Sequence, residues 1–207
     1  MALKTTIPES VIRRLPRYYR YLSTLKQLGI SRISSKDLSH RMGYTSSQIR
    51  QDFFHLGRFG LQGYGYDVDY LFEEIGHALK VQQRRSMIVI GAGHLGQALA
   101  NNIAFEKLGF SLAALFDVDS QLVSQTVRGK EIYHISSLSD FVRGNSVDIA
   151  VLTVPRAHAY DLAEQIVALG IRGIWNFTSA ELEVPQGVFV ENIHMSDSLM
   201  VLGFLLE

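Results

Sequence analysis

Near the middle of the chain, Gly91-Ala92-Gly93-His94-Leu95-Gly96 follows the apolar run Met87-Ile88-Val89-Ile90. Glycines at this spacing suit a dinucleotide. The first makes a tight turn, the second lets a pyrophosphate approach the backbone, the third lets helix and strand pack, and the helix N-terminus stabilises the phosphate charge. The six residues alone are a weak signal, but the next apolar run, Leu112 to Phe116, ends in Asp117. That is where an acid accepting from ribose hydroxyls belongs. A carboxylate there repels a 2′-phosphate, and no arginine follows in Val118-Asp119-Ser120-Gln121, so NAD(H) is favoured over NADP(H). Thr153-Val154-Pro155 closes another apolar run, at the strand end where open α/β sheets bind ligands, and is expected to wall the same cleft. Pro155 equally suits a loop stiffener, and His94 suits either a phosphate contact or exposure to solvent.

A second set of polar residues lies upstream. Thr45-Ser46-Ser47-Gln48-Ile49-Arg50-Gln51 opens with an N-cap and carries donors for phosphates or base edges, leaving Ile49 and Phe53 for the core. Ser34-Ser35-Lys36-Asp37-Leu38 caps a shorter helix that ends near Gly43, so the two helices meet at a glycine as in a helix-turn-helix. The start of the second helix of that motif enters the major groove, where Arg50 suits guanine or a phosphate and Gln51 suits adenine. Arg58 and the segment from Phe59 to Tyr66, with alternating glycines and aromatics that include Gly63 and Tyr64, read as a hairpin beside that helix, a wing over the minor groove.

These sites sit in a chain of 207 residues with 47% apolar content, enough for one large domain or two small ones. The formal net charge of zero hides a division. Residues 1–85 hold 14 Lys and Arg against 7 Asp and Glu, whereas residues 86–207 hold 6 against 13. A first half at +7 suits a polyanion, and a second half at −7 repels one. The absence of cysteine excludes disulfides, thiolate metal sites and a thiol redox switch. The seven histidines show no metal-binding spacing. No signal peptide or membrane span is read, so a cytoplasmic location is expected.

The elements that must position the two sets follow from periodicity. Val11, Leu15, Tyr18, Leu22 and Leu25 predict an amphipathic helix closed by Gly29, with Pro16 kinking it or marking a short preceding turn. Val68, Leu71, Phe72, Ile75 and Leu79 predict a helix that closes a first domain over 1–83. In 84–193, strands are predicted at 87–90, 112–116, 149–155, 171–175 and 188–190, with a helix over 157–169. The expected fold is α/β, a winged helix-turn-helix domain followed by a Rossmann-like parallel-sheet domain. In 194–207, the run Ser198 to Leu206 is apolar in seven of nine positions, a helix that must be buried on every side. A two-fold dimer through this helix would also suit a palindrome, and docking onto its own domain is the alternative.

Taken together, these segments resemble the Rex family of bacterial redox-sensing transcriptional repressors, which respond to the NADH/NAD balance. The likeness covers nearly the whole chain. Its carriers are Arg14-Leu15-Pro16-Arg17-Tyr18-Tyr19-Arg20, Ile49-Arg50-Gln51-Asp52-Phe53, Gly63-Tyr64-Gly65-Tyr66-Asp67-Val68, Gly91 to Gly96 with Phe116-Asp117-Val118-Asp119, and Leu152-Thr153-Val154-Pro155. Later carriers are Gly170 to Phe177 and Glu191-Asn192-Ile193. The resemblance implies a homodimer with exchanged C-terminal helices, winged domains on a pseudo-palindromic operator in duplex DNA, and a cofactor pocket near the subunit interface. It also implies control of genes for fermentation and NADH reoxidation. Departures fall at Gln51, where many members have Lys, and at Gln62, where many have Arg. Others fall at His194, where many have an acid, and at Asn102, where many have Tyr. The rival readings are an NAD-dependent oxidoreductase, a CoA-binding ligase-like module, and a nucleotide-binding interaction protein. Against an enzyme, the chain shows no evident general acid or base and little length for a substrate site.

Overall fold

The computed structural model describes residues 7–57, 60–61 and 64–206, with the backbone alone for 60 and 61. Contacts divide the chain into two compact units, Met1–Gln83 and Arg84–Glu207.

The first unit contains α1 (Glu9–Ile12), α2 (Leu15–Gln27), β1 (Arg32–Ile33), α3 (Ser35–Met42), α4 (Ser46–Leu56), β2 (Gly60–Leu61), β3 (Gly65–Asp67) and α5 (Val68–Leu79). The stretch from Val11 to Leu25 is thus two helices. Pro16 lies in the first turn of α2, the one place where its missing N–H costs nothing, and the break falls just ahead of it. Leu15, Tyr18, Leu22 and Leu25 of α2 are buried with Ile49 and Phe53 of α4 and Val68, Leu71 and Ile75 of α5. Strand β1 has no counterpart in the sequence reading, because two residues are too few to show a period. It pairs antiparallel with β3, which pairs with β2 on its other side, giving the order β1-β3-β2. Gly65 is required here. Its φ is +72°, and a Cβ would stand 2.7 Å from the Ile33 carbonyl oxygen.

The second unit contains β4 (Arg85–Ile90), α6 (His94–Ala100), α7 (Ala104–Lys107), β5 (Phe110–Asp117), β6 (Thr126–Val127), β7 (Lys130–His134), α8 (Leu138–Gly144), β8 (Ile149–Leu152), α9 (Arg156–Ala168), β9 (Gly173–Asn176), β10 (Phe189–Asn192) and α10 (Met195–Leu205). The sheet order is β10-β9-β8-β4-β5-β7-β6, parallel throughout except at the β6–β7 edge. Successive residues of β4 alternate between two apolar layers: Ile88 and Ile90 pack with Phe116 and Leu152, whereas Met87 and Val89 pack with Leu115 and Val151. A sheet buried on both faces explains why its strands read as unbroken apolar runs.

All five expected strands shift at one or both ends: β4 begins at Arg85, β5 spans Phe110–Asp117, β10 spans Phe189–Asn192, and β8 and β9 are shorter than their apolar runs. Strand β8 stops at Leu152, and Pro155 precedes α9 as its N-cap. Strand β9 starts at Gly173, because Gly170 is left-handed at φ +85° and the Ile171 N–H bonds back to the Ile166 carbonyl, closing α9.

Helix α10 contains no buried residue. Leu199, Met200, Val201, Leu202, Phe204, Leu205 and Leu206 are between 52% and 80% exposed, so burial on every side does not occur within one chain. Among the described residues, no helix is long and apolar enough to cross a membrane.

Candidate functional site

In the first unit the caps of α3 and α4 are formed by the hydroxyls that the sequence placed there. Ser34 Oγ accepts the Asp37 N–H at 3.1 Å and donates to its carboxylate at 2.6 Å. That donated bond, ahead of any other cause, holds Asp37 below its ordinary pKa. Helix α3 ends at Gly43, left-handed at φ +69°, and α4 starts with Thr45 Oγ1 accepting the Gln48 N–H at 3.1 Å. Thr45 and Ser47 share a hydroxyl contact at 3.1 Å. Thr45, Ser47, Arg50 and Gln51 are exposed, Ser46 and Gln48 are half-buried, and Ile49 is buried. The base-reading candidates therefore face outward together. Arg50 also donates to Ser35 Oγ at 3.3 Å, which ties its guanidinium to the start of α3.

Tyr64, 72% exposed, precedes β3 in the hairpin. Arg58 and Gly63, the other wing candidates, lie outside the described residues. Arg32 was not anticipated: exposed at the start of β1, it donates to the Tyr64 carbonyl at 3.4 Å and so places a cation beside the hairpin. Arg17, Arg20 and Arg41 line a shallow concavity of about 250 Å³ between α2 and α3, adding to the positive field of this unit. Arg17 stands over the Tyr44 ring at 5.1 Å, in the turn that leads to α4.

The cleft of the second unit lies where the strand order reverses. Strand β4 pairs with β5 on one side and β8 on the other, and the loops after β4 and β8 leave the same edge. Ligands of open α/β sheets bind at such a point. The three glycines of the loop differ in their surroundings. Gly91 has φ +99°, and a Cβ would stand 2.6 Å from the Thr153 carbonyl oxygen. At Gly96 a Cβ would collide with the Gly91 carbonyl oxygen. A Cβ at Gly93 would meet nothing within 4 Å, so of the three glycines this one borders open space. Gly93 and His94 are exposed, Ala92 is buried and Leu95 is half-buried. Helix α6 has only seven residues, so any anion here would rest on nearby N–H groups rather than on a long helix dipole.

Asp117 ends β5 beside this loop, and its two oxygens hold backbone. Oδ2 accepts the Ala92 N–H at 2.6 Å, and Oδ1 accepts the Asp119 N–H at 2.9 Å. A carboxylate has about four acceptor positions, so both oxygens retain capacity for ribose hydroxyls. Val118, 71% exposed, follows it as an apolar shelf. Thr153 also holds this loop. Its hydroxyl is turned to the Gly91 carbonyl at 2.7 Å, and its N–H bonds to the Ile90 carbonyl at 2.9 Å, so it fixes the loop. Gln97, which the sequence gave no reason to single out, donates to the Ala92 carbonyl at 2.7 Å from inside α6. Val154 packs against the apolar layer that contains Ile88 and Ile90. The residues present fit a dinucleotide. Among the described residues, no group of three or more His, Asp or Glu is arranged to hold a metal.

A capped helix-turn-helix beside a hairpin, followed by a glycine loop at the switch point of a parallel sheet, fits a DNA-binding regulator that responds to a nucleotide. Comparison with known proteins agrees with this class. A family model described as "Putative DNA-binding protein N-terminus" matches residues 6–53, and one described as "CoA binding domain" matches residues 82–180. The redox-sensing transcriptional repressor Rex of Caldicellulosiruptor saccharolyticus is 51% identical over all of this chain and 94% of its own length. The protein of the same name from Clostridioides difficile is 46% identical over 97% of this chain and 96% of its own. A crystal structure of RSP in complex with β-NAD+ and operator DNA is 44% identical, with a TM-score of 0.90, and covers 97% of this chain and 92% of that one. RSP in complex with β-NADH is 41% identical with the same TM-score, covering 97% of this chain and 94% of that one. The chain belongs to the Rex family of redox-sensing transcriptional repressors.

Proposed function

We propose that this chain works as a homodimer that holds a pseudo-palindromic operator through α4 and the hairpin, and that NADH releases it. The observation that carries this reading is the pairing of two formed sites on one chain: an outward row of donors on a capped helix, and a glycine loop whose open position is flanked by Asp117. The relatives are repressors by name, and RSP has been solved with operator DNA and with both forms of the cofactor. A repressor acting on bacterial genes works in the cytoplasm, and fermentation and NADH-reoxidation genes are its proposed targets.

In this reading Arg50 and Gln51 meet base edges, Thr45, Ser46, Ser47 and Gln48 meet phosphates or edges near the helix start, and Arg58, Gly63 and Tyr64 act from the hairpin. Gly91 to Gly96 take the pyrophosphate, Asp117 the ribose, Val118 the adenine face, and Thr153, Val154 and Pro155 form the opposite wall. Helix α10, apolar all round and uncovered in one chain, is exchanged between subunits and supplies the dimer. Only differential affinity moves such an equilibrium. To take the dimer from nearly all competent to nearly all incompetent, NADH must prefer the second state by roughly 10⁴-fold, or about 5.5 kcal/mol summed over its sites. NAD+ must discriminate far less.

The test is operator binding titrated with each form of the cofactor. Release by NADH at concentrations where NAD+ leaves the complex intact is expected, and equal effects would refute the mechanism.

The match to a CoA-binding model favours a second reading, in which CoA is the ligand. CoA carries a phosphate on its adenosine ribose, and Asp117 ends β5 where that phosphate would meet a carboxylate. Displacement of bound NADH by CoA at comparable concentration would favour this alternative.

A further inference from the structure

Asp52 is the one buried carboxylate of the first unit among the described residues, 1% exposed, and it lies on α4 directly after Arg50 and Gln51. Arg14, in the break between α1 and α2, donates to both of its oxygens: Nε to Oδ2 at 2.7 Å and Nη2 to Oδ1 at 2.6 Å. The Tyr18 hydroxyl adds a third bond to Oδ2 at 2.8 Å. The Tyr18 ring meets Phe53 edge-on at 5.0 Å, and Phe53 meets Tyr66 of the hairpin in the same way at 5.0 Å.

A buried ion pair is weak evidence for stability, since apolar side chains of similar volume often serve as well. Its distinguishing property is direction. Ile49 and Phe53 sink one face of α4, but dispersion contacts tolerate a small roll of the helix. A planar guanidinium forked onto a carboxylate tolerates far less. With a helix radius of about 5–6 Å, a roll of about 10° carries an outward side chain about 1 Å sideways. That is enough to spoil a bidentate bond to a base edge.

We propose that Asp52, gripped by Arg14 and Tyr18, is a specificity-determining positioning residue: it sets the roll of α4, and with it the aim of Arg50 and Gln51, without touching DNA. The proposal rests on the reading of α4 as the base-reading helix.

The experiment uses the full-length protein, a duplex selected from a random pool by the wild type, and a shuffled duplex of the same composition. Asp52→Asn and Arg14→Lys keep size but lose the charged fork. Each is expected to weaken the selected duplex about 10- to 100-fold, as a lost bidentate base contact does, while binding of the shuffled duplex stays within about twofold because it rests on phosphates. Tyr18→Phe, which keeps the ring, is expected to cost about three- to tenfold. Affinities are expressed per active dimer, counted by stoichiometric titration, and NADH binding reports on the second unit. A merely structural role lowers the melting temperature and the active fraction but leaves the ratio of the two affinities unchanged, and a ratio within twofold of wild type overturns the proposal. Should Asp52→Asn fail to fold, Tyr18→Phe and Arg14→Lys decide by the same ratio. A wild type that selects no duplex at all would instead overturn the reading of α4.

Discussion

The two units bury polar groups in opposite ways. The first seals a charged carboxylate under a guanidinium and a phenol, at Asp52, Arg14 and Tyr18. In the second, the buried polar side chains among the described residues are Asn176 and Thr178, and the network is neutral: Asn176 donates to Ala180 O and Asn192 Oδ1, each at 2.8 Å, and accepts twice from Thr178. The contrast follows from what holds each element in place. A strand inside a parallel sheet is already oriented by its backbone ladder, so the side chains at its end need only satisfy one another. A short helix in a bundle has no such ladder, and its orientation must come from side chains. Charge is placed where the backbone leaves a degree of freedom.

The same contrast should appear in function as separability. Gly96→Ala forces a Cβ onto the Gly91 carbonyl and is expected to have the largest effect. Overpacking there costs about 3 kcal/mol, or about 100-fold in NADH affinity by fluorescence titration. Operator binding without cofactor should stay within about twofold. Asp117→Ala orphans the Ala92 N–H and removes the proposed ribose acceptor, for an expected loss of about 30-fold in NADH affinity. That variant should remain on its operator at NADH concentrations that release the wild type. Arg50→Ala is expected to weaken the operator complex by about 1–3 kcal/mol with NADH binding unchanged. Loss of both activities in any of these variants would mean that the two sites are not independent.

The smallest effect concerns alkali. Burial first, and then its bond to Asp52, push the Tyr18 pKa up from the ordinary 10.0. In alkali the folded state therefore keeps a proton that the unfolded state loses, and stability falls as pH rises. The contribution of the Tyr18 hydroxyl, about 1 kcal/mol, should be complete below pH 10 and shrink above it. Melting curves of wild type and Tyr18→Phe should accordingly be separated by a constant interval up to that pH and converge beyond it.

Much of this was legible in the residues. The turn glycines Gly91 and Gly96, the caps at Ser34 and Thr45, and the break near Pro16 are local features, and each forms as its own chemistry requires. Thr153 drew notice by its position at a strand end, but the bond from its hydroxyl to the Gly91 carbonyl could not be read there. What could not be read is what depends on distant pairing. Strand β1 exists only because β3 lies beside it, and Lys130-Glu131-Ile132-Tyr133-His134 is too polar to resemble a central strand, being next to the sheet edge. Arg14 and Asp52 are 38 positions apart, and no periodicity links them. Gln97 looks like any polar helix residue until its reach to Ala92 is seen.

Helix α10 carries a consequence for the protein's life before it meets DNA. A newly made subunit displays an oily rod with no cover of its own, so it must find a twin or be retained by a chaperone. On the proposed exchange of α10 both copies contribute to every pair, so a chain with a blunted reading head but an intact rod would poison the normal copies it joins. Defects confined to the upstream half should therefore behave as dominant, whereas chains that lack the rod should be harmless to their neighbours.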